Sequence, residues 1–291
     1  MTDTPNGDPP ASGLRGALWR LCAVNSDNWV ISGLRTAIHA ATPYVHAENH
    51  DPASNGEAAL LRRLGARAAT IFDVGSGQGA WALLAVQACP ETIVFCSDIL
   101  EDNRRNLELL ARSQPRLRVL SAGLAATSGR VWVKRYPSVP GWTSMYDYPH
   151  NARAEWREER VTTGDRVMAD LEVDDVDLLK LDVEGAEMEV LRGFSDALRR
   201  GSIGAIQFEY GYAAVYSHGL LHDFYRLLEP QGFVLGRLHR RGVQIRPYRL
   251  ADENFFGPNF IAVKRERRDL VDAIFGEAIQ PAEGVEPPSQ A

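Results

Sequence analysis

The stretch Thr70–Gly79 combines an aspartate with three glycines at alternate positions, a pattern typical of a ligand-binding turn. Apolar residues before the glycines predict a strand, and Ala80–Val86 continues at helical spacing. Glycine adopts positive φ angles and lets a ligand touch the bare backbone. The helix that follows directs its unpaired N–H groups into the same space, where they favour an anionic or carboxylate-bearing ligand. We therefore predict a cofactor site at this turn, on the carboxyl edge of a sheet.

Two classes of cofactor fit this turn. Gly75-x-Gly77-x-x-Ala80 matches the loose dinucleotide fingerprint of nicotinamide-dependent oxidoreductases. Asp73 precedes the first glycine by two residues and Gly79 adds a third glycine. The resulting Asp-x-Gly-x-Gly-x-Gly pattern resembles the first motif of class I S-adenosylmethionine (SAM) methyltransferases. An ordinary glycine turn with a capping aspartate is the alternative that needs no ligand.

Asp98 supports a cofactor that contains a ribose. It follows a second predicted strand, Thr92–Ser97, and lies 19 residues beyond Gly79. An acid at the tip of this strand accepts hydrogen bonds from ribose hydroxyls in both dinucleotide and SAM folds. Its alternative role is to cap the next helix, which we predict from about Glu101 to Arg112. The glycine turn and Asp98 together are more specific than either feature alone.

The elements that position these residues alternate between strands and helices, which is typical of a parallel, doubly wound sheet. The last two strands lack a helix-length crossover between them, so we expect antiparallel pairing there. The prediction is an α/β, Rossmann-like doubly wound sheet of seven strands, mostly parallel with an antiparallel last strand, plus N-terminal helices. The predicted strands cover about 71–74, 92–97, 118–121, 177–182, 203–210, 233–236 and 260–264.

Composition and charge exclude several other classes. The 291 residues are 45% hydrophobic and 24% charged, as in an ordinary globular protein. The net charge of −6 gives no reason to expect nucleic acid or an anionic membrane as a partner. No apolar run is long enough to span a membrane and the start is not a signal peptide, so we expect a cytoplasmic protein. Of the three cysteines, Cys89 and Cys96 lie among apolar residues and are expected to be buried free thiols.

The segment Leu178–Glu187 carries a specific family resemblance. Its sequence, Leu-Leu-Lys-Leu-Asp-Val-Glu-Gly-Ala-Glu, with Val190–Gly193 after it, resembles the signature of the FkbM family of SAM-dependent methyltransferases. The resemblance runs from about Glu57 to Lys264. Where family members commonly carry Ala-Asn after the first glycine, this chain has Ser76-Gly77, a change that we expect to leave cofactor binding intact. Further matching segments are Asp73–Gly75, Ala125–Gly129, Thr143–Ser144, Asp165, Gln207–Tyr210 and Asn259–Phe260.

The resemblance implies an O-methyltransferase that acts on hydroxyls of sugars, polyketides or other secondary metabolites. An acceptor oxygen would attack the methyl group of SAM in line, so alignment of the two reactants supplies much of the rate. A neutral alcohol is a weak nucleophile, and a carboxylate that takes its proton assists. The candidate bases are Asp182, which we rank first, and Glu209; each lies at the carboxyl end of a predicted strand, on the same rim as the glycine turn. Capping the following helix is the alternative role for Asp182 and Glu184.

The candidate site residues fall into two further groups. We expect the N-terminal helical segment and the aromatic loop Pro137–Asn151 to serve as lids or binding walls, or to pack as ordinary structure. The candidate substrate contacts are His46, Trp142, Glu184 and Tyr210. The candidate cofactor-binding residues are Glu57, Asp73, Gly75, Ser76, Gly77, Gly79, Asp98, Ile99, Ser121, Ala122 and Asp182.

The domain prediction places a SAM-binding methyltransferase domain at 57–265. Residues 1–13 are expected to be disordered, 14–56 to form a helical or lid segment, and 266–291 to form a helix and a loose tail. We expect a small hydroxylated acceptor as the partner, and a homodimer is compatible with the chain.

Other functions remain open at this stage. We predict no metal site, because no compact set of ligands is evident, although rim carboxylates leave Mg²⁺ assistance as an alternative. The acceptor atom could also be an amino-sugar nitrogen. An NAD(P)-dependent oxidoreductase would leave the signature at 182–187 unexplained, and a non-catalytic SAM-binding protein would need purely structural rim carboxylates.

Overall fold

The computed structural model describes residues 13–25, 27–46, 49–147, 150–245, 247–255, 257 and 259–276. The helices are α1 (Gly13–Val24), α2 (Trp29–His46), α3 (Glu57–Leu64), α4 (Ala80–Ala88), α5 (Glu101–Ala111), α6 (Gly164–Asp170), α7 (Glu187–Gly193), α8 (Ser195–Arg200), α9 (Ala213–Ser217), α10 (Leu221–Leu228) and α11 (Arg268–Phe275). The strands are β1 (Thr70–Val74), β2 (Ile93–Ser97), β3 (Leu117–Val119), β4 (Gly123–Leu124), β5 (Gly129–Arg135), β6 (Glu155–Thr162), β7 (Val176–Leu181), β8 (Ile203–Glu209), β9 (Phe233–His239), β10 (Gly242–Ile245) and β11 (Asn259–Lys264).

The main sheet has the strand order β10-β9-β11-β8-β7-β1-β2-β3. Strands β3, β2, β1, β7 and β8 run parallel, and β11 runs antiparallel to both of its neighbours, β8 and β9. The Rossmann-like α/β prediction is therefore confirmed, including the antiparallel last strand. The described sheet has eight strands rather than seven, because Gly242–Ile245 folds back on β9 as an extra edge strand.

The central strands are buried on both faces, which is why their sequences read as nearly continuous apolar runs. Successive side chains of a strand point to opposite faces. In β1, Ile71 and Phe72 are both fully buried, and they belong to different core clusters. Helices must therefore cover both faces, and the exposed ends of the strands remain as the place for a ligand.

A switch in chain direction creates a crevice at the carboxyl ends of β1 and β7. From β1 the chain proceeds to β2 and β3 on one side, whereas β7 and β8 follow one another on the other side. Ligands of open α/β sheets bind outside the strand ends at such a switch point. The glycine turn leaves β1 at this point, and Asp182 leaves β7 beside it.

A second sheet, ordered β4-β6-β5, lies outside the main one. The arm at Gly129–Val133 is predicted from its alternating pattern, whereas β6 is not predicted, because five of its eight residues are charged. The carbonyl of Ser144 accepts a hydrogen bond from the Lys134 backbone N–H (2.8 Å), which ties the aromatic loop to β5. The indole of Trp142 and the ring of His150 then lie in contact, with centroids 3.5 Å apart.

The N-terminal helices α1 and α2 expose large apolar side chains, including Trp29 (83% exposed) and Leu34 (53%). Their role as a lid stays a prediction. The expected disorder of residues 1–13 and the loose tail fall almost entirely outside the described residues, and α11 supplies the expected C-terminal helix. Among the described residues, no helix is both long and apolar enough to cross a bilayer.

Candidate active site

The glycine turn is held by hydrogen bonds to the neighbouring strand. The backbone N–H groups of Gly75 and Ser76 both donate to the carbonyl of Ser97, at 2.8 and 3.0 Å. Gly75 has a φ of 85°, and a Cβ at this position would lie 1.7 Å from the carbonyl oxygen of Asp182. Only glycine therefore lets β1 and β7 approach this closely where the strands end.

Asp98 connects the turn to the second strand. Its Oδ2 accepts a hydrogen bond from the Gly77 N–H (2.9 Å), and its Oδ1 accepts one from the Leu100 N–H (2.9 Å). Burial raises the pKa of Asp98, and these hydrogen bonds oppose that rise. Asp98 thus accepts a hydrogen bond from Leu100, just before α5, and is also part of the cavity wall, whereas its contact with a ribose stays a prediction.

Lys180 is a buried cation beneath this rim. Its Nζ lies 3.2 Å from Asp73 Oδ1 and 3.2 Å from Asp182 Oδ2, and 5.4 Å from the centre of the Trp81 ring. Burial alone would lower the pKa of Lys180, but the carboxylates of Asp182, Asp73 and Glu57 raise it above its ordinary value. Lys180 is therefore charged and holds the rim carboxylates in place.

Three carboxylates meet where β7 and β8 end. The parallel register pairs Leu181 with Phe208, so the next residues, Asp182 and Glu209, lie side by side. Oxygen atoms of Asp182, Glu184 and Glu209 all lie within 4.8 Å of one another. Such a group could hold a hard cation through its oxygens. The sequence showed no compact ligand set, because these residues come together only through the pairing of two strands.

The three carboxyl groups differ in their affinity for protons. Burial and the neighbouring carboxylates raise the pKa of Glu209 to about 8 and that of Glu184 to about 10. Burial would also raise the pKa of Asp182, but Lys180 and a hydrogen bond with Glu209 keep it below its ordinary value. His50 Nδ1 lies 3.4 Å from Glu209 Oε1. Asp182 is therefore the most readily ionised of the three, and Glu184 and Glu209 hold a proton more strongly than an ordinary glutamate does.

Two adjoining cavities open on this rim. The larger, of about 460 Å³, extends from the glycine turn to the carboxylates. The smaller, of about 250 Å³, lies on the side of the loop after β8. Both are bounded by His50, Trp142, Glu184 and Glu209, so these residues separate the two spaces.

The structure brings most of the predicted site residues to the larger cavity. Glu57 is buried at the start of α3 and accepts hydrogen bonds from the side-chain amides of Asn55 and Gln207. The predicted residues that line this cavity are Glu57, Gly75, Gly77, Asp98, Ile99, Trp142, Asp182, Glu184 and Glu209.

Other predicted residues do not line the larger cavity. Asp73 lies below the rim against Lys180, and the Ser76 hydroxyl donates to the Asp73 carbonyl (2.6 Å). Tyr210 is buried in the core, where its hydroxyl donates to Glu253. Gly79, Ser121 and Ala122 also lie outside the cavity wall, and the side chain of His46 falls outside the described residues.

Some lining residues were not singled out from the sequence. His50 was not named as a candidate, although it lies within the segment 14–56 that was predicted to be helical or a lid. The sequence does contain a signal for Lys180, because a lysine inside a buried apolar strand requires a charged partner. Asn55, Trp81 and Asn259 carry no such signal, because their exposure to the cavity depends on packing. Gln78, Asn103, Thr143 and Met145 also line the cavity.

The larger cavity fits a cofactor with a polar, ribose-bearing body. Apart from Gly77 and its two chain neighbours, no atom of the described residues lies within 4 Å of where a Cβ on Gly77 would stand, so the backbone there is open to a ligand. Trp81 lines the cavity, and its indole Nε1 is buried with no hydrogen-bond partner among the described residues. A buried donor of this kind is satisfied when a ligand supplies an acceptor.

Comparisons with known proteins agree with this arrangement. Residues 65–235 match the sequence model of the methyltransferase FkbM domain. The AMB antimetabolite synthetase AmbE of Pseudomonas aeruginosa is 26% identical over 164 residues, which are 44% of this chain and 8% of that protein. This chain thus spans only a small part of that relative.

Two solved structures are similar to this chain at low sequence identity. Methyltransferase FkbM from Methylobacillus flagellatus KT is 14% identical, with a TM-score of 0.45 over 67% of this chain and 43% of that one. A putative caffeoyl-CoA O-methyltransferase from Staphylococcus aureus is 10% identical, with a TM-score of 0.42 over 85% of this chain and 97% of that one. Because the FkbM domain model covers more than half of its length, this chain belongs to the FkbM methyltransferase family.

Proposed function

We propose that this chain is a SAM-dependent methyltransferase that acts on a hydroxyl of a small, glycosyl acceptor. One observation carries the proposal: a single cavity extends from the glycine turn to the carboxylates at the ends of β7 and β8. A cofactor held at the turn would therefore reach the groups that can accept a proton from an acceptor. The family assignment supports this class over a nicotinamide-dependent oxidoreductase.

The residues of the turn hold the cofactor in this proposal. The open backbone at Gly77 and the indole N–H of Trp81 provide contacts for its polar groups, and Asp98 accepts hydrogen bonds from its ribose. When bound, SAM supplies a methyl group whose bond to the sulfonium sulfur breaks as the acceptor oxygen attacks. The chain contributes alignment and electrostatics, which account for much of such catalysis.

Glu209 is the base that the geometry favours. In its ionised form, Glu209 takes the proton of the acceptor hydroxyl onto a carboxylate oxygen, and His50, whose Nδ1 lies 3.4 Å from Glu209 Oε1, helps to position that carboxylate. A base works best when its pKa lies near the operating pH, and that of Glu209 is raised to about 8. Asp182, the first-ranked candidate from sequence, lies against Lys180 and is a weaker base for that reason.

A second candidate is methyl transfer assisted by a divalent cation. The grouping of Asp182, Glu184 and Glu209 within 4.8 Å supports it, because Mg²⁺ prefers carboxylate oxygens. A cation there would bind acceptor hydroxyls directly and acidify one of them.

Three measurements test the proposal. Calorimetric titration with S-adenosylhomocysteine and with NADH, each with and without Mg²⁺, identifies the cofactor, and we expect binding of S-adenosylhomocysteine alone. Transfer of a labelled methyl group to a panel of glycosides then identifies the acceptor. Glu209→Gln should lower kcat by about 100-fold, the scale of a lost general base, with unchanged cofactor affinity. Glu108→Gln, an exposed change on α5, is the matched control.

Each outcome has a defined meaning. Binding of NADH in place of S-adenosylhomocysteine would reject the methyltransferase proposal. Full turnover by Glu209→Gln would remove Glu209 as the base. Loss of turnover on treatment with EDTA, restored by Mg²⁺, would favour the second candidate.

A further inference from the structure

The smaller cavity differs in character from the cofactor cavity that it adjoins. It has a volume of about 250 Å³, slightly below the roughly 300 Å³ at which pockets for drug-sized ligands begin. Its size suits one ring rather than an extended chain. The residues that separate the two cavities, including Glu184 and Glu209, place its contents next to the proposed base.

Aromatic side chains form part of its wall. Trp142 and Tyr212 are partly exposed, and Phe255 joins them at the same cavity. The loop that carries Trp142 is fixed to the site, because the Ser144 hydroxyl donates to the carbonyl of Glu184 (2.7 Å). Flat aromatic faces bind the apolar faces of ring-shaped ligands, and they also attract cations.

The charged groups of this wall are almost all acidic. Glu184, Glu187 and Glu209 line the cavity, and its described lining includes neither lysine nor arginine. His50 is the one basic side chain among the described lining residues, and it lies beside Glu209. A ligand phosphate or carboxylate would meet like charge here without a cation to offset it, which disfavours binding.

We propose that this smaller cavity is the acceptor subsite, and that it selects a single hydroxylated ring bearing an ammonium group over the same ring bearing a phosphate. The inference rests on the proposed function, because it assigns the cavity to the acceptor of that reaction. The ammonium group would favour the ionised form of the glutamates beside it and donate hydrogen bonds to them, while the ring lies against Trp142 and Tyr212. The transferred methyl group still goes to a hydroxyl.

Ligand-observed NMR titration tests this selection with three matched probes. The full chain, saturated with S-adenosylhomocysteine, is titrated with glucosamine, glucose and glucose 6-phosphate in a buffer containing EDTA. We expect glucosamine to bind about tenfold more tightly than glucose, and glucose 6-phosphate to bind more weakly than glucose. Equal or tighter binding of glucose 6-phosphate would overturn the proposal.

A charge-introducing variant tests the location. Tyr212→Lys places a cation in the wall, and we expect it to lower the preference for glucosamine over glucose 6-phosphate by at least about tenfold. Tyr216→Lys, in α9 but outside both cavities, is the matched control and should leave the preference unchanged. A preference that is the same in both variants would show that the probes bind elsewhere and would overturn the assignment.

The cofactor and sugar titrations distinguish failure of this inference from failure of the proposed function on which it rests. Failure of S-adenosylhomocysteine to bind would reject the proposed function. Its binding with no preference among the three sugars would reject the acceptor selection alone. Tight binding of glucose 6-phosphate that appears only on adding Mg²⁺ would also overturn the selection, because it would show that a cation occupies the carboxylate group.

Discussion

The Nζ atom of Lys180 lies 3.2 Å from Oδ1 of Asp73, and neither side chain is exposed by more than 4%. The two residues come from neighbouring strands, β7 and β1, whose register pairs them directly. The same ammonium lies 3.2 Å from Asp182 at the rim. Lys180 therefore links β1, which precedes the glycine turn, to the carboxylate group at the ends of β7 and β8.

Replacing Lys180 should destabilise the protein strongly. Lys180→Met leaves Asp73 buried without its cation, and removal of one partner of a buried pair costs about 3–5 kcal/mol. Urea denaturation measures the free energy of unfolding. The double variant Lys180→Met with Asp73→Asn should recover only part of the loss, since Asp73 then carries no unpaired charge but Asp182 still lacks its cation.

A surface pair provides the control for this experiment. Arg130 and Glu158 form an exposed ion pair at 2.9 Å, for which the expected cost of Arg130→Met is below about 1 kcal/mol. A similar cost for Lys180→Met and Arg130→Met would show that the buried pair does not stabilise this part of the sheet.

Two glycines of the turn should respond differently to alanine. Both have a positive φ, 85° at Gly75 and 53° at Gly77, so each alanine carries a backbone penalty of about 1–2 kcal/mol. Gly75→Ala would in addition collide with the Asp182 carbonyl, whereas no atom lies within 4 Å of a Cβ on Gly77. We expect Gly75→Ala to lower the melting temperature far more than Gly77→Ala.

Calorimetry measures how these variants bind the cofactor, separately from their effect on folding. Gly77→Ala should remain folded and bind S-adenosylhomocysteine more weakly, because its methyl group would enter the cofactor cavity. Equal melting temperatures for the two variants would contradict the close approach of β1 and β7.

Removing the carboxylate of Asp98 should weaken cofactor binding. Asp98→Ala loses the proposed ribose contacts and the bonds from the Gly77 and Leu100 N–H groups. Hydrogen bonds to charged groups contribute about 1.5–3 kcal/mol, so the Kd for S-adenosylhomocysteine should rise by about 10- to 100-fold. Calorimetry measures this Kd, and unchanged affinity would assign Asp98 to helix capping alone.

The three thiols should differ in reactivity. Cys22 is exposed, whereas burial raises the pKa of Cys89 to about 11 and that of Cys96 to about 12. The thiolate is the reactive form, so both buried thiols are almost entirely protonated at pH 8. We expect one thiol to react rapidly with Ellman's reagent in the native protein and three in guanidinium chloride. Rapid reaction of a Cys22→Ser variant would contradict this expectation.

The sequence by itself determined the features that depend on local geometry. Alternating apolar and helical patterns were sufficient to predict the order of most strands and helices, because both periods are properties of short segments. The glycine turn and Asp98 were recognisable for the same reason, since each lies just after a strand that ends at the carboxyl edge. The signature at Leu178–Glu187 then indicated the family.

Patterns that departed from these periods were missed. Five of the eight residues of strand β6 are charged and the strand pairs outside the main sheet, and β10 is only four residues long. Their pairing depends on a partner strand rather than on their own composition. Tyr210, which was predicted to contact the substrate, points instead into the core, where its hydroxyl donates a hydrogen bond to Glu253. Its place beside Glu209 in the sequence did not reveal the direction of its side chain.

The tertiary structure alone decided which charged groups meet. Lys180 contacts Asp73 because the parallel pairing of β1 with β7 places the two residues side by side. Glu209 adjoins Asp182 because the pairing of β7 with β8 brings the ends of these two strands together. These contacts join residues that are far apart in sequence, so no local pattern contains them. The carboxylate group and the two cavities exist only after the strands have paired, since strand pairing fixes the distances on which their chemistry depends.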